Sequence, residues 1–331
     1  MKAMVLQRPA PAETDPLVWR DLPDPEPGPG ELRLRVRACG VCRTDLHVLE
    51  GELPAHRLPL VPGHQIVGIV DAVGAGADPA WLGRRAGAAW LRWACGSCAL
   101  CRAGRENLCP DARFTGWDAD GGYAQAALVP ASFAFRLPEA LDDVTVAPLL
   151  CAGIIGYRSL RLAEARPGAR LGLFGFGASA HLALQVARHL GCEVLVVTRG
   201  QAHRELALRL GAAWAGAAED APPASMDSAV SFAPVGRVIA DALRLLRPGG
   251  TLAVNAVHLD RVPEMDYALL YGERTLRSVA NATRQDGEEF LRLAADVPLA
   301  VACEGLPLMA ANEALRRLKA GLVNGAAVLV P

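Results

Sequence analysis

The chain has 331 residues, 52% of them hydrophobic and 21% charged, with a formal net charge of −1. That length and apolar content can bury the cores of about two domains and exclude a disordered chain. Near-neutral charge gives no electrostatic pull toward nucleic acid or an anionic membrane, so neither is expected as a partner. The start, Met1 to Pro9, lacks the apolar stretch of a signal peptide. The longest apolar run, 171–187, is broken by three glycines and His181 and is too short to span a membrane. The nine cysteines are an odd number. With no export signal, a cytoplasmic location, reduced thiols and metal binding are expected rather than disulfides.

In chain order, 1–150 reads as β-rich and irregular. The Pro- and Gly-rich stretch from Pro23 to Gly30 is a loop. Leu32 to Arg37 alternates apolar and charged residues, the pattern of a half-buried strand. Ile66 to Val73 is a second strand, with its turn at Gly74 to Asp78. Beyond Pro148 the texture changes to strands alternating with helices. The expected strands are Leu171–Phe174, Val194–Val197, Ser228–Ser231 and Thr251–Val254. The expected helices are Ser179–Leu190, His203–Leu210 and Val238–Leu246, with a tight turn at Pro248-Gly249-Gly250. Such alternation implies an α/β fold with a doubly wound parallel sheet. A late helix, Asn312–Ala320, and a final strand, Ala326–Val330, complete the chain.

Three constellations carry chemistry. The first is Cys95, Cys98, Cys101 and Cys109, spaced C-x2-C-x2-C-x7-C. Four soft thiolates close a tetrahedral shell around Zn²⁺ and leave no open position, so such a site is structural. The second is a scatter of possible ligands: Cys39, Cys42, His47, His64 and Cys151. A catalytic zinc takes three protein ligands, and spacing alone does not choose three from five. Cys192 and Cys303 sit in apolar surroundings and read as core.

The third is Gly175-Phe176-Gly177-Ala178-Ser179-Ala180, a G-x-G-x-x-A turn between a strand and a helix. That context suits a dinucleotide pyrophosphate at the helix N-terminus; the plain alternative is an ordinary tight turn. A carboxylate for the adenine ribose is expected about 20 residues on. There the chain reads Thr198-Arg199-Gly200, with Arg204 a helical turn later. The missing acid and the added arginine favour NADP(H) over NAD(H). The alternative is a solvated Arg199 and an NAD ribose held without a carboxylate.

Several segments occur together in one order: Cys39-Gly40-Val41-Cys42-Arg43-Thr44-Asp45-Leu46-His47, Pro62-Gly63-His64-Gln65, the four-cysteine lobe, Pro148-Leu149-Leu150-Cys151, the glycine turn and Leu246-Arg247-Pro248-Gly249-Gly250. In this combination the chain resembles a zinc-dependent alcohol dehydrogenase of the medium-chain dehydrogenase/reductase superfamily, over nearly its whole length. The resemblance implies a GroES-like β-rich catalytic domain, 1–152 and 288–331, with a structural zinc lobe at about 90–112. It implies a Rossmann domain at 153–287. It implies two Zn²⁺ per chain, the catalytic one held by Cys42, His64 and Cys151, with Asp45 supporting the site from behind. Thr44 would meet the substrate oxygen, His47 would end a proton relay, and Arg43 would lie near the cofactor pyrophosphate. The expected activity is hydride transfer between an alcohol, or its aldehyde or ketone, and a nicotinamide cofactor, in a homodimer or homotetramer.

Three positions depart from the family pattern. Gln65 replaces a glutamate after the ligand histidine, Ala326 replaces a pyrophosphate arginine, and Leu53 stands where many members carry a pocket tryptophan. Trp90 is retained, and the pocket is expected to admit bulkier substrates. Two other readings compete: a zinc-free reductase of the same superfamily acting on activated double bonds, and a non-enzymatic zinc-binding module. The first would lack the Cys42, His64 and Cys151 trio, and the second would not carry the glycine turn.

Overall fold

The computed structural model describes residues 1–323 and 325–331. The chain divides into two units. One comprises Met1–Cys151, Asn281–Asp296 and Val301–Pro331; the other comprises Ala152–Ala280 and Val297–Ala300.

The first unit is built on the strand Glu31–Val41, which contains the expected Leu32–Arg37 alternation. Leu32, Leu34 and Val36 face the core, and the arginines between them point outward. The strand pairs antiparallel with Gln65–Val73 along one edge. Along the other it pairs first with Ala126–Pro130 and, at its far end, with Ala326–Val330. The sheet continues through Arg85–Ala88 to Phe135–Arg136, and on the opposite side to Cys303–Pro307. Two register shifts, at Arg33/Leu34 and Val36/Ala38, let the long strand bend with the sheet. Its end carries Cys39 and Gly40 and delivers the chain directly to Cys42, where a helix begins. That eight-residue helix, Arg43–Glu50, is not signalled by the sequence pattern.

The second unit is a six-stranded, all-parallel sheet. Its spatial order is Trp214–Gly216, Glu193–Val197, Arg170–Phe174, Met226–Ser231, Leu246–Val254, Thr275–Ser278. In chain sequence this is third, second, first, fourth, fifth, sixth, the doubly wound dinucleotide-binding order. The helices Ala178–His189, Gln201–Arg209 and Arg237–Leu245 fall within two residues of their expected bounds. The strands at 170–174 and 193–197 read as near-continuous apolar runs because both sheet faces are covered.

One local reading needs correction. Pro248-Gly249-Gly250 is not a free turn but a bulge within the strand Leu246–Val254. Leu246 pairs with Met226, and the next pairing is Ser228 with Thr251, so the intervening residues bow out of the ladder. The edge strand Thr275–Ser278 escapes pattern reading because all its residues are exposed and none alternates. Among the described residues no single helix is long and apolar enough to cross a membrane.

Candidate functional site

The helix Arg43–Glu50 organises the site. Its N-cap is Cys42, whose sulfur accepts from the Thr44 backbone N–H at 3.3 Å. The Asp45 carboxylate reaches back to the Cys42 N–H at 2.9 Å, closing a capping box in which cysteine stands where serine or threonine is usual. A helix N-terminus favours negative charge, so the cap also favours a thiolate at Cys42. Asp45, Leu46, Val48 and Leu49 face the core, while Thr44 and His47, three residues apart, share the outer face. Arg43, first in the helix, is exposed.

His64 is supplied by the approach to the strand Gln65–Val73. It is fully buried. The preceding Gly63 has φ 95°, and a Cβ there would fall 2.3 Å from the Tyr123 ring, so only glycine lets the chain enter at this angle. His64 Nε2 lies 3.3 Å from Cys42 Sγ, and His64 Nδ1 lies 3.0 Å from Asp45 Oδ1. Cys151 closes the group from the end of the 3-10 turn Ala147–Leu150. The ligand atoms of Cys42, His64 and Cys151 all lie within 4.8 Å of one another. For tetrahedral zinc, with Zn–S about 2.3 Å and Zn–N about 2.0–2.1 Å, sulfur and nitrogen should lie about 3.6 Å apart, close to what is seen. Among the described residues three donors converge with no fourth protein ligand, the pattern of an open site.

The electrostatics suit a cation. Hydrogen bonding from the Cys151 thiol, against burial and with help from the His64 charge, holds the Cys42 thiol well below its ordinary range. Donation to Cys42 and then burial push the Cys151 thiol up. Burial works against an imidazolium at His64, but the Cys42 thiolate and the Asp45 carboxylate outweigh it and raise its pKa. Burial raises Asp45 in turn, with the His64 charge partly offsetting it. Asp45 Oδ2 also accepts from Tyr123 Oη at 3.2 Å. A carboxylate behind a ligand histidine fixes its tautomer and turns Nε2 toward the metal position. Tyr123 lies in Gly121-Gly122-Tyr123-Ala124, and no spacing rule points to it.

The four-cysteine lobe is a separate cluster. Its sulfurs also lie within 4.8 Å of one another, with Cys95 and Cys101 3.9 Å apart. A tetrahedral shell with Zn–S of about 2.3 Å requires about 3.8 Å. Backbone N–H groups of Cys98, Cys101 and Cys95 donate to the sulfurs of Cys95, Cys98 and Cys109. The N–H of Ser97, and then that of Cys98, lower Cys95 to about 6. Desolvation, and then donation to the Cys98 sulfur, push Cys101 up to about 12. Cys39, by contrast, is buried outside both clusters and burial raises its thiol. Cys192 is buried and Cys303 half-buried, also outside both.

Around His64 lies an aromatic wall, of which Trp90 alone was expected from the residue pattern. Trp90 meets the His64 ring edge-on at 5.0 Å and stacks with Phe114 at 5.0 Å and Trp117 at 5.8 Å. His56 stacks on Trp117 at 4.0 Å and pairs with Asp118 at 2.6 Å. Leu53 is half-buried against the first unit's core. Gln65 is buried, its side chain over Gly40. Ala326 is buried at the start of the last strand.

In the second unit Gly175 follows the strand Arg170–Phe174 with φ 84°, Phe176 and Ala180 are buried, and Gly177 caps the helix beginning at Ala178-Ser179. No heavy atom beyond its own chain neighbours lies within 4 Å of a Cβ built on Gly177, leaving room for a group against the backbone. Thr198 directly follows the second strand and is buried, and Arg199 is exposed beside it. Arg204 Nε donates to the Thr198 carbonyl at 2.9 Å, so that arginine braces the strand end.

The alcohol dehydrogenase GroES-like domain model matches residues 28–139, and the zinc-binding dehydrogenase model matches 180–296. A probable alcohol dehydrogenase AdhA of Mycobacterium tuberculosis is 51% identical, covering 100% of this chain and 97% of that protein. An alcohol dehydrogenase of Geobacillus stearothermophilus is 36% identical, covering 89% of this chain and 90% of that protein. The solved structure of a cinnamyl alcohol dehydrogenase, SbCAD4, of Sorghum bicolor matches with a TM-score of 0.89 at 28% identity, covering 99% of this chain and 97% of that one.

Proposed function

The chain belongs to the zinc-dependent alcohol dehydrogenases of the medium-chain dehydrogenase/reductase superfamily, and we propose that it holds two zinc ions, one for chemistry and one for structure, and favours NADP(H). It is an NAD(P)-dependent oxidoreductase acting on small-molecule alcohols or their aldehydes. The observation that carries the assignment of the reacting centre is the convergence of Cys42, His64 and Cys151 within 4.8 Å, with Asp45 behind the histidine.

In this reading Cys42, His64 and Cys151 hold the catalytic ion, and Cys95, Cys98, Cys101 and Cys109 hold the structural one. Zinc there supplies Lewis acidity toward the reacting oxygen, and the nicotinamide supplies the hydride acceptor or donor. Asp45 keeps the His64 ring in place. The Thr44 hydroxyl sits on the outer face of the helix and passes the substrate's proton outward, and His47 on the same face takes it on. Gln65, neutral where the family usually has glutamate, leaves the centre more positive. Trp90, with Phe114 and Trp117, supports a preference for aryl-bearing substrates, which such faces stack against; Leu53 leaves room beside them. Relatives named as cinnamyl alcohol dehydrogenases fit this preference.

In the second unit, Gly175 to Ala180 receive the pyrophosphate. Ala326 offers no charge to that group. Thr198 and Arg199 receive the 2′-phosphate, and Arg204 braces them. Homo-oligomerisation is supported by the edge strand Thr275–Ser278, with Leu276, Tyr267 and Tyr271 exposed beside it, an edge that a second copy would cover. Nine free cysteines support a cytoplasmic location.

The test is a nicotinamide-absorbance assay over a panel of aliphatic and aryl alcohols and aldehydes, with each cofactor, before and after chelation. Turnover that is abolished by chelation and restored by Zn²⁺, highest with aryl substrates and NADP(H), is expected. Chelator-resistant reduction of activated double bonds would overturn the reading.

A further inference from the structure

The segment 54–61 is fastened to the segment 114–120 side chain by side chain. Gly116 has φ 73°, and a Cβ there would fall 2.9 Å from the Gly63 nitrogen, so only glycine lets the turn 116–118 lie against the residue that precedes His64. Asp118 anchors the turn: its N–H donates to the Phe114 carbonyl at 2.9 Å, and its Oδ2 accepts from the Phe114 N–H at 2.8 Å. Its other oxygen accepts from His56 Nδ1 at 2.6 Å and lies 3.8 Å from Arg113 Nη1. Trp117 stands at the tip of the turn. Its Nε1–H donates to the Pro54 carbonyl at 3.0 Å, and the His56 ring stacks on its indole at 4.0 Å. Two residues on, Asp120 accepts from the Val61 N–H at 2.9 Å and pairs with Arg57 at 3.4 Å. The side chain of Asp118 is 4% exposed and that of His56 50%, so a buried carboxylate holds a ring that would otherwise turn freely in water.

The rings have an order. Trp90 is the one against His64, and Trp117 is the next out, 5.8 Å from Trp90 and within 14° of parallel to it. With the reacting carbon at the metal centre, an aryl group bonded directly to it meets Trp90. An aryl group one vinyl unit further out meets Trp117. An indole already fixed in place loses less conformational freedom when a ligand ring stacks on it. We propose that His56 is a positioning residue for substrate length: clamped by Asp118, it fixes Trp117 as the outer part of the aromatic wall and so favours aryl groups set back from the reacting carbon, as in aryl-propenyl alcohols and aldehydes. The inference rests on the aryl preference proposed above. His56 touches neither the metal ligands nor the reacting atoms in this reading, so its effect falls on binding of the longer substrates and not on the chemical step.

The experiment uses the full-length, zinc-loaded enzyme with ¹⁵N-labelled tryptophan, as wild type, His56→Ala, Trp117→Ala and the His56→Ala/Trp117→Ala double variant. Reduction of butanal, benzaldehyde and cinnamaldehyde is followed at saturating reduced cofactor. His56→Ala should raise the KM for cinnamaldehyde about 2- to 12-fold, the span of one aromatic pair, with kcat unchanged. The KM for butanal should hold, and benzaldehyde should lie between the two. Once Trp117 is alanine, His56→Ala should change nothing further. The Trp117 indole N–H, identified by its loss in Trp117→Ala, should exchange with solvent faster in His56→Ala than in the wild type. An unaltered indole exchange rate, an equal rise in KM for butanal, or the same rise for cinnamaldehyde without Trp117 overturns the proposal. If the wild type reduces cinnamaldehyde no better than butanal, the aryl preference itself is overturned, and the indole signal still decides whether His56 holds Trp117.

Discussion

In the Cys95–Cys109 lobe all four sulfurs come from one short loop, and its spacing alone brings them together. Cys42, His64 and Cys151 come instead from a helix cap, the entry to a strand and the end of a 3-10 turn. The lobe's sulfurs are held by their neighbours' own N–H groups, whereas the dispersed trio is held by Asp45 and Tyr123 across long sequence separations. The difference teaches that a closed site can fold itself around its ion. An open site that must leave a coordination position for substrate is held in shape by the surrounding fold.

The largest effect should come from the dispersed trio. His64→Ala and Cys151→Ala should each lower turnover at least about 10³-fold, equivalent to several kcal/mol, because metal polarisation is lost. The melting temperature should fall less than turnover does. Retained activity with bound zinc would show that these residues do not hold the reacting centre.

Cys101→Ser should reverse that pattern. Metal binding at a closed thiolate site is coupled to folding, so the melting temperature and soluble yield should drop sharply. Turnover per folded, cofactor-bound molecule should stay within about twofold, since this shell contributes fold rather than chemistry. A normally stable but inactive Cys101→Ser enzyme would erase the contrast between the two sites.

A cofactor substitution should leave both clusters alone. Arg199→Ala should weaken NADPH binding about 10- to 150-fold and bring it to parity with NADH, the span of a charge-assisted contact. Thr198→Asp should go further and favour NADH. Titration of both reduced cofactors decides this, and tighter NADH binding by the wild type would assign Arg199 to solvent.

On the outer face of the helix, Thr44→Val should cost more than His47→Gln, because in the proposed mechanism Thr44 alone touches the substrate oxygen. A positioned proton carrier contributes about 10²–10⁴-fold at most, and solvent replaces part of His47. Equal, negligible effects on kcat would remove both from the proton path.

The smallest effect concerns how the lobe is tied down. Arg284, the first residue of the helix Arg284–Asp296, grips Glu106 with two nitrogens at 2.7 and 2.9 Å and lies over the Phe133 ring at 4.6 Å. Against the burial that would raise it, this arginine holds the Glu106 carboxyl below its ordinary value. A carboxyl depressed in the folded state adds stability above its unfolded pKa and loses it as pH falls through the folded one. Glu106→Gln should therefore cost about 1–2 kcal/mol near neutrality, allowing for the partial exposure of Arg284, with the gap closing in acid. Denaturant titrations at neutral and acid pH check the sign; a gap that widens in acid would contradict it.

The same contrast explains what the sequence disclosed. The four-cysteine lobe, the glycine turn and the parallel strands are local patterns, written within a few residues each. The helix Arg43–Glu50 was hidden because its cap is a cysteine, which capping preferences do not flag. Tyr123, Phe114 and Trp117 reach the site only through tertiary packing, and nothing in their own neighbourhoods marks them. The Pro248-Gly249-Gly250 signal for a turn was overridden by strand pairing on both sides, leaving a bulge. The edge strand Thr275–Ser278 shows no pattern because neither face is buried.

The most direct test of the two-site account is the zinc content of the purified chain, measured by elemental analysis on wild type, Cys42→Ala and Cys39→Ala. The expected result is about two zinc ions per chain in the wild type, one in Cys42→Ala and two in Cys39→Ala, since Cys39 lies outside both clusters. A single zinc in the wild type, or loss of an ion from Cys39→Ala but not from Cys42→Ala, would contradict it.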